Sequence, residues 1–233
     1  MTTRQSLRSS SAGQQRAGKP TAIDRFFLRW LGTSHDIDGL WVGTTESKPY
    51  PALRRVEKAL LLLKTRSPFH YGRVTRHLTR IWVHLVPSSD ACYERSLNAC
   101  VFDERFLLRE TTTPEEIASV IVHETTHARL ERWGINYIEK DRSRIEAICL
   151  RRELNFLAGV PGSEALQDEK ARTLEWCDSE PDYFLDSSFQ KQRQVGEAET
   201  LRYLNVPEWL IGSLLRAKAV RSRLHRFIHA RPA

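Results

Sequence analysis

Residues 113–130, TPEEIASVIVHETTHARL, contain the signal that decides how this 233-residue chain folds. Thr113 suits a helix N-cap, Pro114 the first helical position, and Glu116 the third, so the three together match a capping box. Apolar side chains then recur at helical spacing from Ile117 to Ala128. We therefore predict an amphipathic helix that begins at Pro114 and presents one face to the core.

The same helix carries the pattern His-Glu-x-x-His at His123, Glu124 and His127. Residues four apart lie on one helix face, so both imidazoles can bind one metal ion with Glu124 beside them. These donors suit Zn²⁺, and a catalytic zinc keeps three protein ligands and a water molecule whose pKa it lowers to about 7. We predict one zinc ion per chain on His123 and His127, with Glu124 as the general base.

The third ligand is not given by this motif. A metzincin continuation requires glycine three residues after the second histidine and histidine three residues later, but the chain has Leu130 and Trp133 there. No histidine occurs between His127 and His225, so the third ligand is expected to be a carboxylate. The nearby candidates are Glu131, Glu139, Asp141, Glu146 and Glu153.

Residues 143–157, SRIEAICLRRELNFL, predict a second helix because Ala147, Leu150, Leu154 and Leu157 follow helical spacing. Residues 134–141 give the chain room to reverse, and an antiparallel second helix would direct Glu146 at the metal. Glu146 is therefore the preferred third ligand. Glu153, two turns later on the same face, is the main alternative, and a solvated carboxylate is the remaining one.

This arrangement resembles the gluzincin group of zinc metallopeptidases, in which a glutamate on the next helix completes the HExxH site. Glu146-Ala147 followed by Cys149 also resembles the second-helix signature of the ImmA/IrrE-like branch, whose members are implicated in cleaving or sensing regulatory proteins. The resemblance covers roughly residues 80–160. The chain has Thr125 and Thr126 where that branch usually has Leu-Gly, and Cys149 where alanine is commoner. The resemblance implies a zincin-like fold and peptide-bond hydrolysis.

Segments ahead of the motif helix predict the rest of the core. Residues 80–86 alternate with period two and residues 99–108 form a second strand-like run, separated by a polar loop at 87–98. Residues 52–64 predict a helix with Leu53, Val56, Leu60 and Leu63 on one face. We predict an α+β fold: a zincin-like core with a small antiparallel sheet, the HExxH helix and the following glutamate-ligand helix.

The segment from Cys100 to Arg109 is expected to be an edge strand beside the metal. In zincin cores such an edge pairs with an extended peptide, although the chain itself can cover an edge instead. Four cysteines without CxxC spacing argue against a separate structural zinc site. Cys92 and Cys100 flank the predicted hairpin loop and would bridge in an oxidising compartment, whereas free thiols are the default elsewhere.

Composition divides the chain into three segments: a disordered basic tail at 1–22, a zincin-like metallopeptidase domain at 23–205, and a basic amphipathic helix at 206–233. The tail is rich in polar residues and has almost no large apolar side chains. The net charge is +7, and the excess gathers at the two ends. These ends suit nucleic acid or an acidic partner, although a solvated basic face is the favoured interpretation.

Location is predicted from two absences in the sequence. The longest apolar run, Ala59 to Leu63, is far shorter than the roughly 20 residues that a membrane span requires. The N-terminal tail lacks the apolar core of a secretory signal. We expect a cytoplasmic protein without a membrane span, although a Ser/Arg-rich start is also compatible with organelle import or non-cleaved export.

The leading functional prediction is zinc-dependent hydrolysis of a protein or peptide substrate. Glu124 would take the proton of the attacking water and pass it to the leaving amine. Tyr137, Tyr183, His84 or an arginine would stabilise the oxyanion. The alternative is a catalytically weak regulatory or sensor protein that keeps the zinc fold and binds a partner or nucleic acid. A toxin or effector delivered into another cell is a third interpretation with the same chemistry.

Overall fold

The computed structural model describes residues 33–45, 48–87, 89–179 and 181–229, so the predicted tail at 1–22 lies outside the described residues. This part of the chain contains five strands and eight α-helices, which confirms the α+β class. The strands are β1 (Thr33–Ile37), β2 (Leu40–Thr44), β3 (Arg80–His84), β4 (Ala91–Glu94) and β5 (Ala99–Asp103). The helices are α1 (Pro51–Arg66), α2 (Pro68–His77), α3 (Glu104–Leu108), α4 (Pro114–Arg132), α5 (Arg142–Leu157), α6 (Glu164–Ser179), α7 (Asp186–Tyr203) and α8 (Glu208–His229).

The strands form one mixed sheet with the order β1-β2-β3-β5-β4. β1 and β4 pair antiparallel to their neighbours, while β2, β3 and β5 are parallel to one another. The prediction of an antiparallel sheet is therefore wrong. β3 and β5 do not form a hairpin, because the intervening chain adds β4 on the outside and β5 returns between β3 and β4. Burial of both faces of β5 is typical of such an interior strand.

The predicted edge strand from Cys100 to Arg109 is also wrong. β5 ends at Asp103, whose carboxylate accepts a hydrogen bond from the Arg105 backbone N–H at 2.7 Å and so caps α3. The same carboxylate accepts a second hydrogen bond from the Val86 backbone N–H at 2.9 Å. Because a capping aspartate ends the strand, the segment divides into a strand and a short helix. The edge on this side of the described sheet is β4.

The main core lies between the sheet and helices α1 and α4. The predicted helix at 52–64 is confirmed by α1, and its four predicted core residues, Leu53, Val56, Leu60 and Leu63, are all buried. Ile117 and Ile121 of α4 are fully buried in the same cluster, as are Ile81 of β3 and Phe102 of β5. Burial of one face of α4 against the core fixes the rotation of this helix, and with it the direction of its histidines.

Gly43 of β2 lies so close to the ring of Trp82 on β3 that a side chain would not fit. A Cβ added at position 43 would lie 2.5 Å from Trp82 Cζ3 and 3.0 Å from Ser34 Cβ. We expect Gly43→Ala to lower the free energy of unfolding by about 1–3 kcal/mol, measured by denaturant titration. Gly72→Ala in α2 is the matched control, because a Cβ there meets nothing within 4 Å and alanine favours a helix. Equal losses in both variants would contradict the packing argument.

The predicted C-terminal helix at 206–233 is observed as α8, although residues 230–233 lie beyond the described range. Its side chains are described as far as Lys218, so most of the predicted basic face lies outside the description. Ile211 is buried, whereas Leu214 of the predicted apolar stripe is 47% exposed. None of the helices described for this chain combines the length and apolar character needed to cross a membrane.

Candidate metal centre

Helix α4 begins where the capping box predicts. The Thr113 hydroxyl oxygen accepts a hydrogen bond from the Glu116 backbone N–H at 3.1 Å, and the Glu116 carboxylate accepts one from the Thr113 backbone N–H. Helix α5 packs antiparallel to α4, since Ser119 contacts Glu153 late in α5 whereas His127 contacts Glu146 early in it. The predicted pair of helices is thus confirmed, and its antiparallel direction selects which carboxylate meets which histidine.

The side chains of His123, His127 and Glu146 converge on one point between α4 and α5. The Nε2 atoms of the two histidines lie 3.1 Å apart. The carboxylate oxygens of Glu146 lie 3.0 Å from His123 Nε2 and 3.4 Å from His127 Nε2. The three residues predicted as ligands therefore present their donor atoms to one another at the end of α5 where Glu146 lies.

These separations match what a tetrahedral zinc ion needs. Ligand nitrogen and oxygen atoms bind zinc at about 2.0–2.1 Å, which places neighbouring donor atoms roughly 3.3 Å apart. The observed spacings of 3.1, 3.0 and 3.4 Å lie around this value. Two imidazole nitrogens that face each other so closely require a shared proton or a shared cation between them. The donor set therefore fits a zinc ion bound by two histidines and one glutamate.

Glu153 contacts the opposite side of the His123 ring. Its Oε1 lies 2.6 Å from His123 Nδ1, and its Oε2 accepts a hydrogen bond from the Ser119 hydroxyl at 3.1 Å. Lys170 of α6 lies 3.6 Å from the same carboxylate. A carboxylate on Nδ1 holds the proton there and leaves the Nε2 lone pair free to bind a metal. The geometry therefore gives Glu153 the position of an orienting residue and Glu146 that of the ligand.

Opposite charges hold this cluster of side chains together. Burial lowers the pKa of His123 and His127, but Cys149 and the surrounding carboxylates outweigh it, so the pKa of His127 rises to about 10 and that of His123 also rises well above its usual value. Burial raises the pKa of Glu146, but the two histidines outweigh it and lower that pKa well below its usual range. A metal cation that binds here would displace protons from the imidazoles.

Glu124 lies next to this cluster, on the side that faces the sheet. It is buried, and burial raises its pKa although His123 and His127 act in the opposite direction. Its carboxylate also raises the pKa of the Cys92 thiol on β4, where burial is the larger cause, so Glu124 lies near the edge strand. A buried carboxylate with a raised pKa has the properties of a general base.

Of the predicted oxyanion stabilisers, Tyr137 reaches the candidate centre. Its hydroxyl donates a hydrogen bond to Glu146 Oε1 at 2.5 Å, and its ring packs edge-on against His127 with 5.3 Å between ring centroids. Tyr183 packs instead on Trp176, with ring centroids 4.5 Å apart. The His84 ring contacts the Leu85 carbonyl oxygen at 2.7 Å. The structure therefore brings together Tyr137 and the three predicted ligands, but not Tyr183 or His84.

Cys149 is a donor that sequence reasoning did not assign to the metal. Its sulfur and the ring nitrogens of His123 and His127 lie within 4.8 Å of one another. Tetrahedral zinc bonded to one sulfur and one nitrogen would place these two atoms roughly 3.6 Å apart. A limit of 4.8 Å between the sulfur and the ring nitrogens therefore does not by itself make Cys149 a ligand. Cys149 follows Glu146 by one helical turn, and this spacing is the signal that could have identified it. All four cysteines are free, so the conditional Cys92–Cys100 bridge is not observed.

The two threonines inside the motif are buried and point away from the metal cluster. Thr125 donates its hydroxyl proton to the Ile121 carbonyl oxygen at 2.6 Å, and Thr126 donates to the Val122 carbonyl oxygen at 2.8 Å. Both hydroxyls are thus satisfied by the backbone of α4 itself.

The other predicted carboxylate ligands have different contacts. Glu131 pairs with Arg95, and Glu139 accepts a hydrogen bond from the Asp186 backbone N–H at 2.7 Å. Asp141 occupies the N-cap position of α5.

Comparisons with protein families, with curated proteins and with solved structures found no match to this chain. The interpretation of the centre therefore depends on the geometry of its own side chains.

The contact between Glu153 and His123 has a measurable consequence. We expect Glu153→Gln to weaken zinc binding roughly 10–100-fold without changing the stoichiometry, because the charge that orients His123 is lost. Competition with a chromogenic chelator measures this change. Glu169→Gln is the matched control, since Glu169 also lies within 3.9 Å of Lys170 but is exposed. Complete loss of zinc from Glu153→Gln would instead identify Glu153 as a ligand.

Proposed function

We propose that this protein is a zinc-dependent hydrolase of peptide bonds, with His123, His127 and Glu146 as metal ligands and Glu124 as the general base. The observation that carries the proposal is the convergence of these three donors at separations of 3.0 to 3.4 Å. A carboxylate between two ligand histidines is not needed for metal binding alone. The burial of Glu124 beside both imidazoles therefore supports a catalytic role for this residue.

Each residue has a task that follows from its contacts. A zinc ion in this position would act as a Lewis acid and lower the pKa of a bound water molecule. Glu124 accepts the proton of the attacking water and passes it to the leaving amine. Tyr137, whose hydroxyl lies on Glu146, is the nearest donor for a developing oxyanion. Glu153 keeps the His123 ring in the tautomer that binds metal.

The edge strand β4 supports a peptide as the substrate. β4 pairs with β5 on one side, and no other described strand pairs with its outer side. An extended peptide can add to such an edge through main-chain hydrogen bonds. The helix that carries Glu124 packs against β4, so a peptide on this edge would lie beside that helix. The role that the sequence suggested for residues 100–109 therefore transfers to Ala91–Glu94.

Metal content and peptidase activity of the untagged protein test the proposal together. We expect about one zinc per chain by elemental analysis. We also expect cleavage of an unstructured protein or a mixed peptide library, which stops on chelation and returns with added zinc. Absence of zinc after reconstitution would contradict the proposal. Bound zinc without any cleavage would support the proposed metal centre but contradict the proposed peptidase activity.

Cys149 favours a second candidate function, a regulatory or sensor protein that binds a partner or nucleic acid. Four protein ligands close a zinc site and exclude the water that hydrolysis needs. Replacement of zinc by cobalt distinguishes the two functions, because a thiolate ligand produces an intense charge-transfer band in the near ultraviolet. We expect no such band. A band that disappears in Cys149→Ser, in a protein without peptidase activity, would favour the sensor.

A further inference from the structure

A second cluster of charged side chains lies on the opposite face of α4 from the histidines. Arg73 of α2, Arg129 of α4 and Arg152 of α5 line one small cleft, together with Thr125 and Thr126 of the motif. Each of the three arginines is half-buried. Three helices thus bring three cations to one recess, and none of the candidate metal ligands lines it.

The three arginines have no carboxylate partner among the residues that the structure describes. The pKa of Arg73 is lowered by burial and then by Arg129 and Arg152, and that of Arg129 by burial and then by Arg152. The guanidinium groups of the three arginines therefore repel one another. Like charges at this density disfavour the recess unless an anion binds between them.

Aromatic rings hold two of these guanidinium groups in place. Arg73 lies over the ring of Phe69, with 4.0 Å from its Cζ to the ring centroid, and Arg129 lies over Trp133 at 4.1 Å. A guanidinium stacked on a ring keeps its N–H groups in its own plane, where they remain free to donate. The cations are therefore arranged before any ligand arrives, which lowers the entropic cost of binding one.

His70 adds an unsatisfied ring nitrogen to the same cleft. Its side chain is 5% exposed, its Nδ1 lies 2.7 Å from the Ser67 hydroxyl, and its Nε2 has no hydrogen-bond partner within the described chain. Buried polar groups are almost always paired, so an unpaired ring nitrogen in a cleft lined by arginines indicates that a polar molecule enters this cleft.

We propose that a single phosphoryl group binds at the mouth of this cleft, between the guanidinium groups of Arg73, Arg129 and Arg152. Planar guanidinium forks match phosphate oxygens in bidentate geometry. A terminal phosphate carries about −1.5 to −2 charge at pH 7, which offsets most of the local excess, whereas a diester in nucleic acid carries only one charge. The convergence on one recess favours an isolated phosphoryl group over a nucleic-acid strand.

Calorimetric titration with inorganic phosphate tests this site, with sodium chloride at equal ionic strength as the reference. We expect saturable binding by the wild-type protein, weakened at least roughly tenfold in Arg152→Gln. Arg151→Gln is the matched control, because Arg151 is the exposed neighbour on α5 and does not line the cleft. Equal weakening in both variants, or no binding beyond the chloride reference, would overturn the proposal.

Two further titrations identify which kind of phosphate compound binds and distinguish the arginine cleft from the candidate metal centre. A small phosphate monoester should compete with inorganic phosphate, whereas a short single-stranded oligonucleotide without terminal phosphates should not. Stronger competition by the oligonucleotide would reassign the cleft to nucleic acid. Because phosphate also binds zinc, Glu146→Ala is included and should retain phosphate binding. Loss of phosphate binding in that variant would place the anion at the metal centre and overturn the proposal.

Discussion

Glutamine in place of Glu124 is expected to reduce peptide hydrolysis roughly 10²–10⁴-fold while zinc content stays unchanged. Glutamine has nearly the same size and suits the same buried position, but its amide cannot accept the proton of the attacking water. This change leaves the proposed metal ligands, His123, His127 and Glu146, untouched. Loss of turnover should therefore appear in kcat, with little change in KM.

The measurement is steady-state cleavage of the best peptide from the library, with zinc quantified in the same preparation. Glu115→Gln is the matched control, since Glu115 lies in the first turn of the same helix and away from the cluster. It should retain full activity. Unchanged hydrolysis by Glu124→Gln would rule out this residue as the base, and simultaneous loss of zinc would show that it supports the site structurally.

Removal of a ligand is expected to have the other large effect. We expect His127→Ala and Glu146→Ala each to weaken zinc binding by at least roughly a thousandfold, because a three-ligand site loses one of its direct bonds. Both variants should contain no zinc after dialysis and should be inactive. Elemental analysis and chelator competition measure this, and circular dichroism checks that the helices remain.

Glu139→Ala is the control for Glu146→Ala, because its carboxylate contacts the Asp186 backbone instead of the cluster. It should bind zinc as the wild type does. The comparison also tests the role of Cys149. If Glu146→Ala keeps its zinc and Cys149→Ala loses it, the third ligand is the thiol and the proposed ligand set is wrong.

The two helices of the candidate centre could be predicted from the sequence because their signals are local. Thr113, Pro114 and Glu116 define the start of α4 within four consecutive residues, and the spacing of His123 and His127 places both rings on one face. Neither signal depends on the rest of the fold. The choice between Glu146 and Glu153 was different, because two helical turns separate them and periodicity alone treats them as equivalent.

The sheet and the arginine cleft could not be predicted in the same way. The segment Ala91–Glu94 is too short to show alternation, and its pairing with β5 depends on where β3 lies. The antiparallel direction of α5, which the reversal at residues 134–141 predicted, brings Glu146 to Nε2 of His123 and Glu153 to its Nδ1. Arg73, Arg129 and Arg152 are distant in sequence, so only the packing of three helices reveals that their charges meet.

Lys170 extends the candidate centre beyond the two helices that carry its ligands. This residue belongs to α6, and its ammonium group lies 3.6 Å from the buried Glu153 carboxylate that contacts His123. A fragment truncated before Glu164 would contain every proposed ligand, but Glu153 would lose this counter-charge and keep only His123 and Ser119 as its partners. A transplanted graft of α4 and α5 alone would therefore lack part of what holds His123 in register.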